Sequence, residues 1–105
     1  MKSDIITIKA KLTLYPTENG GRKTGIMSGY RPNHVFEYKE NSTEFLNTYI
    51  GQIDFEKEWI LPSETENVTV RFLIHGNIGE LLTVKRIWWI HEGSRKIGEA
   101  EIIKN

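Results

Sequence analysis

The chain has 105 residues, which is enough for one domain built around one hydrophobic core. Fourteen cations balance fourteen anions, so no overall field draws the chain to nucleic acid or to anionic lipid. The absence of cysteine excludes disulfides and thiolate chemistry, and no apolar run approaches the roughly 20 residues of a membrane-spanning helix. We therefore expect residues 1 to 105 to form a single cytoplasmic domain with no membrane contact.

The first predicted element is a strand from Ile6 to Tyr15, because apolar and polar residues alternate strictly along it. Pro16 ends this strand, and the pair Gly20-Gly21 marks the turn that follows. Further extended segments are predicted over residues 33–39, 49–55, 59–61, 68–74, 81–91 and 95–103, with a charged loop over 63–67. No window of eleven or more residues has a helical period.

Six or seven short strands separated by turns are typical of an antiparallel sandwich or a closed barrel. Closure is favoured because it removes the exposed strand edges that recruit other chains. The side chains expected inside are Ile6, Ile8, Leu12, Leu14, Val68, Val70, Phe72, Ile74, Trp88 and Ile90.

Three segments carry a resemblance to a known family. Residues 20–32 contain G-G-R-K-T followed by G-Y-R-P, residues 67–75 read N-V-T-V-R-F-L-I-H, and residues 90–98 read I-H-E-G-S-R-K-I-G. In this order they resemble motifs of the third, C-terminal domain of bacterial elongation factor Tu. The resemblance extends from about Ile5 to Asn105 and implies an all-β fold, a six-stranded antiparallel Greek-key barrel.

The resemblance also implies what the chain does. In the family, the third domain contacts its own GTPase domain and the nucleotide-exchange factor, and it helps to hold the T-stem of aminoacyl-tRNA. No phosphate loop of the form G-x-x-x-x-G-K-[S/T] occurs in this sequence. We expect a stand-alone or excised third domain that is not an enzyme, uses no cofactor and binds a protein partner, with weak RNA binding as the alternative.

Five residues match the family positions that hold the tRNA backbone: Arg22, Lys23, Thr24, Arg31 and Asn33. Lys23 stands where the family usually has histidine, and Asn33 where it usually has glutamine. Cations neutralise phosphates, and threonine and asparagine donate to phosphate or ribose oxygens. The structural alternative is that Arg31 pairs with a carboxylate of the barrel wall while Arg22 and Lys23 are solvated turn residues.

Adjacent tryptophans supply a second candidate surface, because neighbouring strand residues point to opposite faces. Trp88 is expected in the core, so Trp89 and Ile87 are expected to point outward together. An outward Ile87–Trp89 pair is either covered by a loop or is a contact surface, including one for self-association.

The three histidines, His34, His75 and His91, lie on different segments without the spacing of metal ligands. We interpret all three as structural residues with satisfied hydrogen bonds and predict no metal site. No nucleophile–base arrangement and no carboxylate pair emerges from the order or spacing of residues. No catalytic residue is therefore assigned.

Overall fold

The computed structural model describes residues 4–45 and 47–105. The described residues form a 3-10 turn (Thr17–Asn19), a one-turn helix α1 (Ile78–Leu81) and eight strands. The strands are β1 (Ile5–Leu14), β2 (Ile26–Met27), β3 (Asn33–Val35), β4 (Tyr49–Asp54), β5 (Trp59–Ile60), β6 (Thr65–Leu73), β7 (Ile87–Glu92) and β8 (Arg95–Lys104).

Six of these strands close into an antiparallel barrel in the order β1-β6-β4-β3-β7-β8. β1 lies between β6 and β8 and closes the barrel, with Ile8 opposite Val70 and Leu12 opposite Ala100. β3, β4 and β6 are successive barrel strands that lie side by side, and the next barrel strand, β7, returns to lie beside β3, which is a Greek-key connection. The all-β barrel predicted from the strand pattern is confirmed.

The side chains that fill the barrel interior alternate with outward-facing side chains along the strands. Ile8, Leu12, Leu14, Val68, Val70, Phe72, Trp88 and Ile90 are all buried as predicted. Phe36, Phe72 and Trp88 meet at the centre, where the Phe36 and Trp88 rings stack with centroids 5.3 Å apart. This packing supplies most of the apolar burial that holds so small a domain together.

Two of the residues predicted to lie in the interior are not fully buried. β6 ends at Leu73, so Ile74 falls beyond the strand and is 52% exposed, and its predicted place in the core is wrong. Ile6 is only partly buried, although it packs against the core. Both residues lie near the end of the β1–β6 pair, where Ile5 is opposite Leu73 and Ile6 is opposite Phe72.

The predicted strand over residues 81–91 is wrong in its first half. Residues 78–81 instead form α1, which buries Ile78 and Leu81, and β7 begins only at Ile87. One helical turn is too short to produce a period in an eleven-residue window. Within residues 4–45 and 47–105, the structure holds no helix with the length and apolarity that a membrane crossing requires.

The bounds of two further strands, β6 and β3, differ from those predicted. β6 begins at Thr65, inside the predicted charged loop, because its first residues pair with the polar end of β1, with Thr13 opposite Thr65. β3 covers only Asn33–Val35 of the segment predicted over 33–39. The remaining predicted strands agree with β1, β4, β5 and β8 to within one residue at each end.

A two-stranded ribbon of β2 and β5 lies beside the barrel. Ile26 pairs with Ile60 on its inner face, and both are buried against the core. Met27 pairs with Trp59 on the opposite, outer face. The ribbon is thus anchored by one apolar pair and presents another.

Candidate interaction surfaces

The glycine-rich segment after β1 is a tight loop folded on its own backbone. Gly20 has a left-handed φ of 85° and ends the 3-10 turn, where its N–H donates to the Thr17 carbonyl. A Cβ at Gly21 would lie 2.4 Å from the Tyr15 carbonyl oxygen, so only glycine fits there. Glycine adopts the positive φ at Gly20 without strain, and the close approach at Gly21 is to the chain's own backbone.

Gly29 also has a left-handed φ, 93°. A Cβ at Gly29 would meet no atom within 4 Å, so a substitution there is strained by the backbone alone. We expect Gly29→Val to lower the free energy of unfolding by about 1–3 kcal/mol, since β-branched residues resist this region. Urea denaturation measures the change, and a stability equal to the wild type would contradict the strain.

Arg22 is held in an ion pair with Glu92 at the end of β7. Tyr30 donates a hydrogen bond to the same carboxylate, and the Arg22 guanidinium also bonds both the carbonyl and the hydroxyl of Thr24. Burial acts to raise the pKa of Glu92, but the bonds from Tyr30 and Arg22 outweigh it and hold that pKa below its ordinary value. Arg22 and Thr24 therefore join the loop to the β7–β8 hairpin.

Arg31 occupies a different environment on the outer wall. Its Nε donates to the Gln52 side-chain oxygen at 2.9 Å, and Gln52 in turn donates to Asp54. Asp54 forms its ion pair with Arg71 at 2.9 Å. The structural alternative considered above was therefore wrong in its pairing, because Arg22 rather than Arg31 binds a carboxylate directly.

The five predicted backbone-binding residues thus separate into two sets. Arg22 and Thr24 are engaged with each other and with Glu92. Lys23, Arg31 and Asn33 are exposed, and the described part of the chain offers Lys23 no ion-pair partner. Only the second set has exposed cations that form no ion pair within the described residues, although Arg31 Nε is bonded to Gln52.

The tryptophan pair of β7 has the predicted opposite orientations. Trp88 is fully buried, whereas Ile87 is 44% exposed and Trp89 is partly buried. The Tyr38 ring lies 5.1 Å from the Trp89 ring, and Lys96 Nζ lies 5.3 Å from it. Trp89 is thus largely covered by its own chain, and Ile87 is the more available of the two.

Two of the three histidines are buried. His34 accepts a hydrogen bond from the Trp88 indole at Nδ1, so its Nε2–H donates to the Gly51 carbonyl, each at 2.9 Å, and the prediction of a structural histidine with satisfied hydrogen bonds is confirmed for His34. His91 Nε2 is bonded to the Tyr38 hydroxyl at 2.6 Å, but its buried Nδ1 forms no hydrogen bond within the described residues, so the prediction is not met in full for His91. His75 is exposed, and its ring lies edge-to-face against the Tyr49 ring with centroids 6.1 Å apart. The described residues contain no group of three or more His, Cys, Asp or Glu placed to hold a metal.

The outer face of the β2–β5 ribbon is an apolar surface that the sequence did not indicate as a site. Met27 is 51% exposed, Trp59 opposite it is 42% exposed, and Leu61 is 50% exposed. Leu61 lies over Gly25, because a Cβ there would be 3.0 Å from the Leu61 Cδ2. The sequence feature that could have indicated this surface is the alternation around Ile60. Because Ile60 is buried against the core, its neighbours Trp59 and Leu61 point outward. We call Met27, Trp59 and Leu61 the ribbon face.

No protein-family model matches the sequence. The class that the structure defines is a closed six-stranded antiparallel barrel with a lateral ribbon. Its candidate surfaces are the ribbon face, the exposed Ile87, and the set of Lys23, Arg31 and Asn33.

Proposed function

We propose that this protein is a non-enzymatic binding domain, resembling the third domain of elongation factor Tu, whose ligand is another protein. The ribbon face carries this proposal. Three large apolar side chains stand together on the outside of a two-stranded ribbon whose inner face is already fixed in the core. Exposed apolar clusters of this kind mark contact surfaces more often than isolated exposed residues do.

The composition of the ribbon face suits a protein contact. Tryptophan and methionine are enriched at protein interfaces, and tryptophan is prominent among the residues that contribute most to binding. Ile26 and Ile60 fix the ribbon, so Trp59 is presented on an ordered backbone. Less conformational entropy is then lost when a partner binds.

Site-specific photo-crosslinking tests the proposal. A photoreactive phenylalanine analogue at Leu61 should form an adduct with a protein in RNase-treated extract of the source cells. The same analogue at Lys11, which is exposed on the outer face of β1, is the control and should give none. Adding Trp59→Ala to the Leu61 probe should weaken the adduct. Equal adducts from both probe positions, or none from either, would contradict the proposal.

RNA binding is the second candidate function, favoured by the exposure of Lys23, Arg31 and Asn33. Two phosphate contacts would give a salt slope of about −2 and only weak affinity. The surface available to RNA is smaller than the five matched residues suggest, because Arg22 is paired with Glu92 and bonded to Thr24.

The salt dependence of RNA binding distinguishes the two functions. If RNA is bound, the double variant Lys23→Ala/Arg31→Ala should reduce the salt slope for a T-stem RNA by about 2 units without a change in unfolding midpoint. Arg22→Ala is unsuitable for this test, since it breaks the pair with Glu92. Wild-type binding of the T-stem RNA with a Kd below ~1 μM at physiological salt, tighter than the range of roughly 1 to 100 μM typical of non-specific binding, would favour RNA as the ligand.

A further inference from the structure

We propose that the ribbon face binds a basic segment of its protein partner, in which an apolar side chain is flanked by lysine or arginine. This inference rests on the proposed protein-binding function and specifies the chemistry of the ligand. It is carried by the charges that surround the three apolar side chains.

The segment that contains β5 is strongly acidic. Residues 54–66 include five carboxylates, at positions 54, 56, 58, 64 and 66, and a single cation, Lys57; Asp54 is paired with Arg71 of β6, which lies outside this segment. Lys57 Nζ lies 3.0 Å from Glu66 and 3.7 Å from Glu64, so one positive charge is shared by two negative ones. Glu56 and Glu58 are exposed and form no ion pair within the part of the chain that the structure describes.

Two of these carboxylates lie next to the apolar side chains in space or in the chain. Glu64 accepts a hydrogen bond from the Leu61 backbone N–H at 2.9 Å, which places it beside Leu61. Glu58 is exposed and directly precedes Trp59 in the chain. A ligand whose apolar side chain covers Trp59 therefore has carboxylates close to it, and cations that flank this side chain are attracted.

A cleft of about 700 Å³ extends the same acidic surface onto the barrel wall. Its lining includes Asp54, Glu56, Lys57 and Glu66, together with Lys9, whose Nζ donates to Thr69. Lys57 and Glu66 thus belong both to the cleft and to the charge cluster beside Leu61. An extended segment could pass from the ribbon face into this cleft and keep its cations near carboxylates.

Trp59 adds a specific attraction for a cation. A lysine or arginine placed over an exposed tryptophan ring is attracted by the ring's negative face, the cation–π interaction. The same negative charges oppose the phosphates of RNA. They also oppose a second copy of the chain, because a two-fold contact sets the ribbon face against itself and brings the carboxylates of one copy toward those of the other.

Three fluorescein-labelled heptapeptides test the inference by fluorescence anisotropy at 50 mM salt. One alternates lysine and leucine, a second replaces lysine by glutamate, and a third replaces leucine by serine. We expect saturable binding of the lysine–leucine peptide alone, weakened several-fold at 500 mM salt. Trp59→Ala should weaken it about tenfold, and Glu56→Gln/Glu58→Gln several-fold. Ile87→Ala, which removes an equally exposed apolar side chain from β7, should leave it unchanged.

Failure to bind the lysine–leucine peptide, equal binding of the glutamate–leucine peptide, or an equal loss in Ile87→Ala would overturn the inference. So would concentration-dependent dimerisation of the wild type that Trp59→Ala abolishes. An adduct from the Leu61 probe in the presence of any of these results would leave the proposed function standing. Absence of both the adduct and peptide binding would contradict the inference and the proposed function together.

Discussion

Phe72→Ala is expected to lower the free energy of unfolding by roughly 3–5 kcal/mol, a large fraction of the total stability of a small domain. Phe72 is fully buried, and its ring centroid lies 4.8 Å from that of His34 and 5.8 Å from those of Phe36 and Trp88. Truncation would leave a cavity among rings that are fixed by their own contacts, so the site can collapse only partly.

Urea denaturation at neutral pH measures this change. Leu73→Ala is the matched control, because Leu73 is the next residue of β6 but is 44% exposed. We expect the control to lose less than about 1 kcal/mol, since most of its transfer free energy was never gained on folding. Equal losses in the two variants would contradict the assignment of Phe72 to the interior and Leu73 to the outer face of β6.

Acidification is expected to produce the second large loss of stability. Burial lowers the pKa of His34 from the ordinary 6.5 to about 4, against a smaller opposing effect of its bond to Gly51. The unfolded chain therefore binds a proton at a pH where the folded chain does not. The contribution of neutral His34 to the free energy of unfolding is fully present above pH 6.5. It is lost as the pH falls toward 4, and the total loss is about 3 kcal/mol.

The pH dependence has an internal control. Burial also lowers the pKa of His91, which adds a loss of the same sign. His34→Gln removes only the titration of His34, so its unfolding free energy should depend less steeply on pH between 6.5 and 4. The measurement is urea denaturation of both proteins across this range. Parallel curves for the two would show that His34 does not titrate between the folded and unfolded states.

Much of the barrel follows from local pattern. β1 and β6 were predictable because each buries one face, so that residues such as Leu12 and Val70 alternate with polar neighbours. The parity of Trp88 and Trp89 follows from the same rule. The helix α1 was not predictable in this way, since one turn gives only Ile78 and Leu81 as an apolar repeat.

The candidate sites depended on contacts between distant residues, which a single sequence does not reveal. Arg22 and Lys23 are neighbours in a turn, yet only Arg22 meets Glu92, which lies seventy residues further along the chain. Trp59 was placed on a short strand, but its exposure depends on the pairing of β5 with β2 rather than with the barrel. The β2 strand was not predicted, because two residues carry no period.

The central claim is that a protein partner binds at the ribbon face, and the indole resonances of the three tryptophans test it most directly. Trp59 reports on the ribbon face, Trp88 on the core and Trp89 on the outer side of β7. When the partner recovered by crosslinking is titrated into the ¹⁵N-labelled protein, we expect the Trp59 resonance to move or broaden saturably. The Trp88 and Trp89 resonances should stay in place. Perturbation of Trp89 with an unchanged Trp59 would contradict the claim and place the contact on β7.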